Sequence, residues 1–187
     1  MRLFAAIELP DSTRAALVSA AADLRSALDD LDARWVEPEK LHLTVRFIGH
    51  VDDDDRAAGL IDRVRMAVAV RPFEMRFGGC GVFPRSGPPR VIWVGVTEGA
   101  PALVRIHEEL NARLRPLGYE AEQRPFSAHL TLARVRTVKR GASVRSLVGA
   151  FPMPDLRCRV SHVTLFRSHL SPRGSRYEIL AAIPLTG

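Results

Sequence analysis

Cysteine is nearly missing from this sequence: Cys80 and Cys158 are the only two among 187 residues. Two thiols cannot build a disulfide framework or a four-cysteine zinc site. Lysine is as scarce, confined to Lys40 and Lys139, so almost every cation is an arginine. Arginine suits bidentate phosphate contacts, although a coding bias toward arginine would give the same count. No apolar run approaches the ~18 residues of a membrane span. The opening Met1-Arg2-Leu3-Phe4-Ala5-Ala6-Ile7-Glu8 meets a carboxylate, and then Pro10, too early for a signal peptide. These absences lead to the expectation of a cytoplasmic protein with no membrane association and no obligate protein partner.

What is present describes an ordinary globular chain, 47% hydrophobic and 26% charged. A chain of this length buries roughly two-thirds of its unfolded surface, so it needs no metal or disulfide staple. One domain over residues 1–187, built from two lobes, is the expected organisation. The charge is unevenly spread. Residues 1–123 hold 16 Lys and Arg against 19 Asp and Glu, whereas residues 124–187 hold 11 against 2. A phosphate-rich partner would select such a basic C-terminal third.

The hydrophobic pattern alternates strands and helices. Leu3 to Leu9 reads as a strand closed by Pro10, and Asp11 or Ser12 is placed to cap a helix carrying Ala16, Leu17, Ala20, Leu24 and Leu28. Leu41 to Ile48 alternates as a strand. The carboxylates Asp52 to Asp55 suit a helix N-terminus, and that helix is expected to continue through Val68 to Pro72. Phe73–Phe77 and Val91–Val96 read as strands separated by a Gly/Pro-rich stretch from Gly78 to Pro89. Leu103, Ile106, Leu110 and Leu114 mark a third helix ended by Pro116 and Gly118. Strands are expected again at Ala128–Val135, Arg157–Phe166 and Arg176–Ile183.

One segment has an echo. His42-Leu43-Thr44 and His129-Leu130-Thr131 each open a strand, and each is followed by a helical segment and another strand. In a strand, residues two apart point the same way, so His42 shares a face with Thr44, and His129 with Thr131. If both strands line one cleft, two imidazoles and two hydroxyls converge there. A neutral histidine would take a proton from water and a protonated one would give a proton to a leaving oxygen, while the hydroxyls hold a phosphate. The scheme calls for no cofactor and no metal. A third copy, His162-Val163-Thr164, also lies in a strand, and periodicity alone does not exclude it.

His42-Leu43-Thr44-Val45-Arg46-Phe47-Ile48-Gly49 and Arg124-Pro125-Phe126-Ser127-Ala128-His129-Leu130-Thr131-Leu132-Ala133-Arg134 resemble the paired motifs of the RNA 2′,3′-cyclic phosphodiesterases of bacteria and archaea, first called 2′-5′ RNA ligases. These belong to the two-histidine phosphoesterase superfamily. The resemblance runs nearly end to end and takes in Arg2–Ile7, Trp35-Val36, Val91–Gly95, Leu165–Leu170 and Gly174–Tyr177. Ala128 departs from the proline usual before the second histidine. His162 falls where the family varies, which demotes the third copy to a structural or surface histidine.

The resemblance implies an α+β fold: two pseudo-symmetric lobes of mainly antiparallel sheet with outer helices and a catalytic cleft between them. It implies that an RNA end bearing a 2′,3′-cyclic phosphate is opened to a 2′-phosphate. His129 would then be the proton acceptor that activates water, His42 the proton donor to the 3′ oxygen, and Thr44 and Thr131 the phosphate holders. With a 5′-hydroxyl in place of water, the same opening of the cyclic phosphate would be a reversible 2′-5′ ligation. Phe47, Arg134 and Tyr177 are candidate substrate contacts. Alternation puts Phe47 and Arg134 on the aliphatic faces, where core packing and a salt bridge compete with that role, and Tyr177 could equally be a plain sheet residue. Trp35 and Trp93 read as core, His107 as a solvated helix residue, Cys80 as an inert thiol, and the Asp52–Asp55 run as a false lead for a metal. The rival functions are a phosphodiesterase for a small cyclic nucleotide or 2′-5′ oligonucleotide, a metal phosphodiesterase, and a non-catalytic module that binds RNA ends.

Overall fold

The computed structural model describes residues 1–28, 31–51, 54–122, 124–138, 141–171 and 174–187. Two antiparallel sheets dominate. The first has the strand order β3-β1-β8-β9, where β1 is Arg2–Glu8, β3 is His42–His50, β8 is His162–Ser171 and β9 is Gly174–Pro184. The second runs β2-β6-β5-β4-β7, with β2 at Asp32–Trp35, β4 at Phe73–Phe83, β5 at Val91–Glu98, β6 at His129–Thr137 and β7 at Leu156–Val160. Among the described residues, four α-helices lie outside them: α1 (Asp11–Ser26), α2 (Asp54–Val64), α3 (Ala100–Leu114) and α4 (Gly141–Ala150). Helices α1 and α4 pack on the second sheet through β7 and β4, and α2 and α3 pack together on the first through β9 and β3. This is the expected α+β arrangement of two lobes. Among the described residues no helix is long and apolar enough to cross a membrane.

The lobes share one core. Leu3, Ala5 and Ile7 of β1 belong to the same buried cluster as Ile92 and Val94 of β5 and Leu130 and Leu132 of β6. Strands β3 and β6, which carry the repeated motif, meet where the two lobes face each other.

Several expected boundaries move, each for a visible reason. Neither Asp11 nor Ser12 caps α1; Pro10 occupies the cap, and Asp11 lies in the first turn, accepting a hydrogen bond from Arg14 at 2.8 Å. Asp52 and Asp53, expected to open α2, lie outside the described residues. That helix ends at Val64 rather than Pro72, because Val68 is drawn into a parallel bridge with Leu185 and donates to the Pro184 carbonyl. The Gly78–Pro89 stretch is not a loop throughout: β4 continues to Phe83. Its glycines serve the sheet. A Cβ on Gly81 would lie 2.3 Å from Trp93, so only glycine lets the indole lie across β4. The single strand expected at Arg157–Phe166 is two strands in different sheets, divided at the exposed Ser161, where the chain crosses between lobes.

Candidate active site

Both motif strands carry the same irregularity. Along β1 and β3, Ala6 faces Thr44 but Ala5 faces Arg46, so Val45 is an extra residue. Along β5 and β6, Trp93 faces Thr131 but Ile92 faces Ala133, so Leu132 is the extra residue. A bulge resets which face the following side chains occupy. The burial pattern shows it: Val45 and Arg46 are both buried, as are Leu132 and Ala133, and the next residue is exposed in each strand. That next residue is Phe47 in β3 and Arg134 in β6. Strict alternation assigned both to the aliphatic faces. The bulge overturns that assignment and brings each to the same cavity as the histidines.

This cavity, about 360 Å³, lies between the lobes. His42, Thr44, Phe47, Phe4 and Tyr177 reach it from the first sheet, and His129, Thr131 and Arg134 from the second. All of the sequence-derived candidate residues thus meet in one place. His162 does not. It is exposed at the start of β8 with Nδ1 3.3 Å from the Ser161 hydroxyl, and Thr164 beside it is buried and donates to Glu8 at 2.5 Å.

The two imidazoles are held alike. Nδ1 of His42 donates to the Lys40 carbonyl at 2.8 Å, and Nδ1 of His129 donates to the Ser127 carbonyl at 2.7 Å. A carbonyl oxygen can only accept, so Nδ1 carries the proton in both rings and the neutral imidazole keeps its lone pair on Nε2. The Thr44 hydroxyl donates to that nitrogen of His42 at 3.1 Å. Each ring also rests against aromatics. His42 lies 4.9 Å from Phe4 and 5.4 Å from Tyr177, the latter nearly perpendicular, and His129 lies 5.0 Å from Phe83, nearly perpendicular, and 6.3 Å from Trp93. Trp93, expected in the core, is half-buried and supports His129 instead.

Electrostatics single out His42. Burial holds its pKa below the ordinary histidine value, the hydrogen bond to Lys40 opposes this, and nearby Arg134 and Glu8 act in opposite senses, lowering and raising it. Glu8 faces His42 across β1 and β3. Among the described residues, no group of three His, Cys, Asp or Glu side chains is placed to hold a metal.

Three further residues escaped the sequence reading. His107, expected on a solvated face, is buried; it donates to the Val45 carbonyl at 2.8 Å, accepts from Asn111 and stacks on Phe126 at 4.6 Å. Arg46 is 3% exposed and donates to the carbonyls of Phe47 and Glu120. Both fasten the bulge of β3 to the segment that leads into the second motif. Glu8 also went unnoticed, since only strand pairing sets it beside His42. His169, for which the sequence offered no partner, binds Glu178 at 2.6 Å on the hairpin of β8 and β9.

Comparison with known proteins agrees with this geometry. The profile of the 2′-5′ RNA ligase superfamily matches residues 9–172. An RNA 2′,3′-cyclic phosphodiesterase from Thermus thermophilus is 35% identical over 195 aligned positions, covering all of this chain and 91% of its own length. One of the same name from Archaeoglobus fulgidus is 34% identical over 181, covering 96% and 98%. Among solved structures, the TT0787 protein of Thermus thermophilus superposes with a TM-score of 0.78 at 31% identity, covering 100% of this chain and 99% of that one. Escherichia coli LigT complexed with 3′-AMP gives 0.79 at 26% identity, covering 100% and 98%. With the profile spanning most of its length, the chain belongs to the 2′-5′ RNA ligase superfamily.

Proposed function

We propose that this chain is an RNA 2′,3′-cyclic phosphodiesterase acting by general acid/base catalysis between His42 and His129. The observation that carries this reading is the matched pair of imidazoles, each locked by an Nδ1–H bond to a backbone carbonyl and each lining one cavity together with the threonine two residues on. His129 takes a proton from water through Nε2 as the water oxygen bonds to phosphorus. The bond from phosphorus to the 3′ oxygen breaks, and Nε2–H of protonated His42 gives its proton to that oxygen. A 2′-phosphomonoester and a 3′-hydroxyl remain. A histidine whose pKa is lowered by burial gives up its proton readily, which suits the donor, and the anionic cyclic phosphate favours the protonated ring once it is bound. Thr44 and Thr131 donate to the non-bridging oxygens. Phe47, Tyr177 and Arg134 border the same space and contact the terminal nucleotide and its phosphate. With a 5′-hydroxyl in place of the attacking water, the same opening of the P–O3′ bond gives a 2′-5′ phosphodiester, and that ligation is reversible. The fold is one two-lobed domain, and the enzyme works in the cytoplasm, where Cys80 and Cys158 stay as thiols.

The test is hydrolysis of a short RNA ending in a 2′,3′-cyclic phosphate, with chelator present throughout. His42→Ala and His129→Ala should each lose roughly 10²–10⁴ in rate, the scale of acid/base catalysis. His162→Ala should retain the wild-type rate, and the product should be the 2′-phosphate. Binding without turnover would overturn the assignment in favour of an RNA-end-binding module, and loss of activity in chelator would point to a metal enzyme.

A further inference from the structure

A second cavity of about 290 Å³ opens beside the first and shares Val36, Lys40, Arg134, Ser175 and Tyr177 with it. The two form one continuous groove across the β2 side of the cleft. What distinguishes the second chamber is its charge. Arg34 of β2 sits directly opposite Arg134 of β6 in the strand register, and both side chains line the chamber with Lys40. Like charges directly opposite each other weaken a strand pair. Glu37 is the one carboxylate among the described lining residues; it lies 2.6 Å from Lys40 and 3.8 Å from Arg34, so it balances only part of this charge. The opposite wall is the hairpin of β8 and β9, and it comes close: a Cβ on Gly174 would lie 2.8 Å from Nη2 of Arg34 and 3.5 Å from Nζ of Lys40. Gly174 adopts φ +123°, a conformation that favours glycine, and so places no side chain against these cations.

A facing pair of arginines on one wall, with a lysine beside them and Gly174 opposite, suits an anion held between two planar donors. We propose that this chamber binds the 5′ phosphate of the terminal nucleotide, the phosphodiester that joins it to the rest of an RNA strand. This inference rests on the cyclic phosphodiesterase reading and adds a second phosphate subsite to it. With the cyclic phosphate held between His42 and His129, the 5′ side of the same nucleotide leaves through the shared wall of Tyr177 and Arg134. The next negative charge on the strand then arrives between Arg34 and Lys40. A nucleoside 2′,3′-cyclic phosphate has no group to place there.

Three substrates separate the possibilities: a nucleoside 2′,3′-cyclic phosphate, its 5′-phosphorylated form, and a trinucleotide with the same terminal nucleotide. Wild type should prefer both substrates that carry the 5′ phosphate, by kcat/KM. In Arg34→Gln that preference should fall about tenfold, the scale of one charge-assisted contact, whereas Arg159→Gln, on the distant β7, should leave it intact. On the wild type alone, the salt dependence of log kcat/KM for the trinucleotide should be steeper than for the nucleoside by about 0.7, for the one of its two added phosphates that the chamber holds. Equal salt slopes, or a preference that survives in Arg34→Gln, would overturn the subsite while leaving the phosphodiesterase reading in place. A preference shown by the trinucleotide but not by the 5′-phosphorylated nucleotide would also overturn it, because recognition would then lie in the upstream nucleoside. Turnover of none of the three by wild type would refute the function itself.

Discussion

Replacing His107 with phenylalanine tests whether the bulge of β3 is held from behind. Val45 is the extra residue of that bulge, and its carbonyl accepts the His107 Nδ1–H at 2.8 Å in a buried setting. Phenylalanine keeps a flat ring against Phe126, now 4.6 Å away with planes inclined by 14°, so the stacking contact survives. The hydrogen bond does not. A buried acceptor left without its donor costs about 1–3 kcal/mol, and Asn111 loses the nitrogen to which it donates. For a chain of this size each kcal/mol lowers Tm by roughly 2–4 °C, so His107→Phe should melt about 2–12 °C below wild type. His107→Leu, which also removes the stacked ring, should fall further, by about 0.5–1.5 kcal/mol. The first assay is thermal unfolding followed by circular dichroism; the second is kcat/KM on the cyclic substrate. The bulge sets where Phe47 points, so activity should fall in the folded variant at temperatures well below its Tm. A Tm within a degree of wild type for His107→Phe would refute the idea that this bond braces the strand.

The remaining predictions concern the cleft and the thiols. Arg134 disfavours the His42 imidazolium and Glu8 favours it. With His42 as proton donor, Arg134→Gln should therefore move the alkaline limb of the kcat/KM pH profile upward, and Glu8→Gln should move it downward. Movement of the acidic limb instead would exchange the roles of the two histidines. Gly81→Val drives a side chain into Trp93, which supports His129. Its indole fluorescence should shift and activity should drop at least tenfold, and an unchanged spectrum would show that the indole is not pressed against β4. Burial pushes the thiols of Cys80 and Cys158 up to about 11. A thiol reagent at pH 8 should leave both unmodified in the native protein and label both in denaturant, and fast native labelling would contradict their enclosure.

Much of the fold was legible because periodicity reports local structure well. The helices and most strands fall where the apolar spacing put them, and the four motif residues His42, Thr44, His129 and Thr131 share the cavity that their alternation implied. What escaped depends on pairing between distant segments. The division of Arg157–Phe166 between two sheets shows in the sequence only as a slip of phase, with Ser161 and His162 in succession between the buried Val160 and Val163. His107 sits beside Glu108 and Glu109 and reads as solvated until β3 is laid against α3. The Arg34–Arg134 pair exists only in the register of β2 with β6.

The bulges explain why the lesser site residues were read on the wrong face, and they show how a nearly symmetric site acquires direction. Each strand runs His, Leu, Thr, an extra buried residue, a second buried residue, and then one side chain returned to the cleft. In β3 that side chain is Phe47, apolar and flat; in β6 it is Arg134, charged. The histidines and threonines of the two strands match, whereas the residues five positions beyond each histidine do not. Under the proposed function a cyclic nucleotide has the same division, with a planar base at one end and an anionic phosphate at the other, and would enter such a cleft productively in one sense. The Nδ1 bond of His42 is partly buried while that of His129 is exposed. Exchanging the two positions, as Phe47→Arg with Arg134→Phe, should therefore cost far more activity than loss of either contact alone, although both histidines and both threonines remain. Near-additive losses in that double variant would show that these two positions contribute contacts without orienting the substrate.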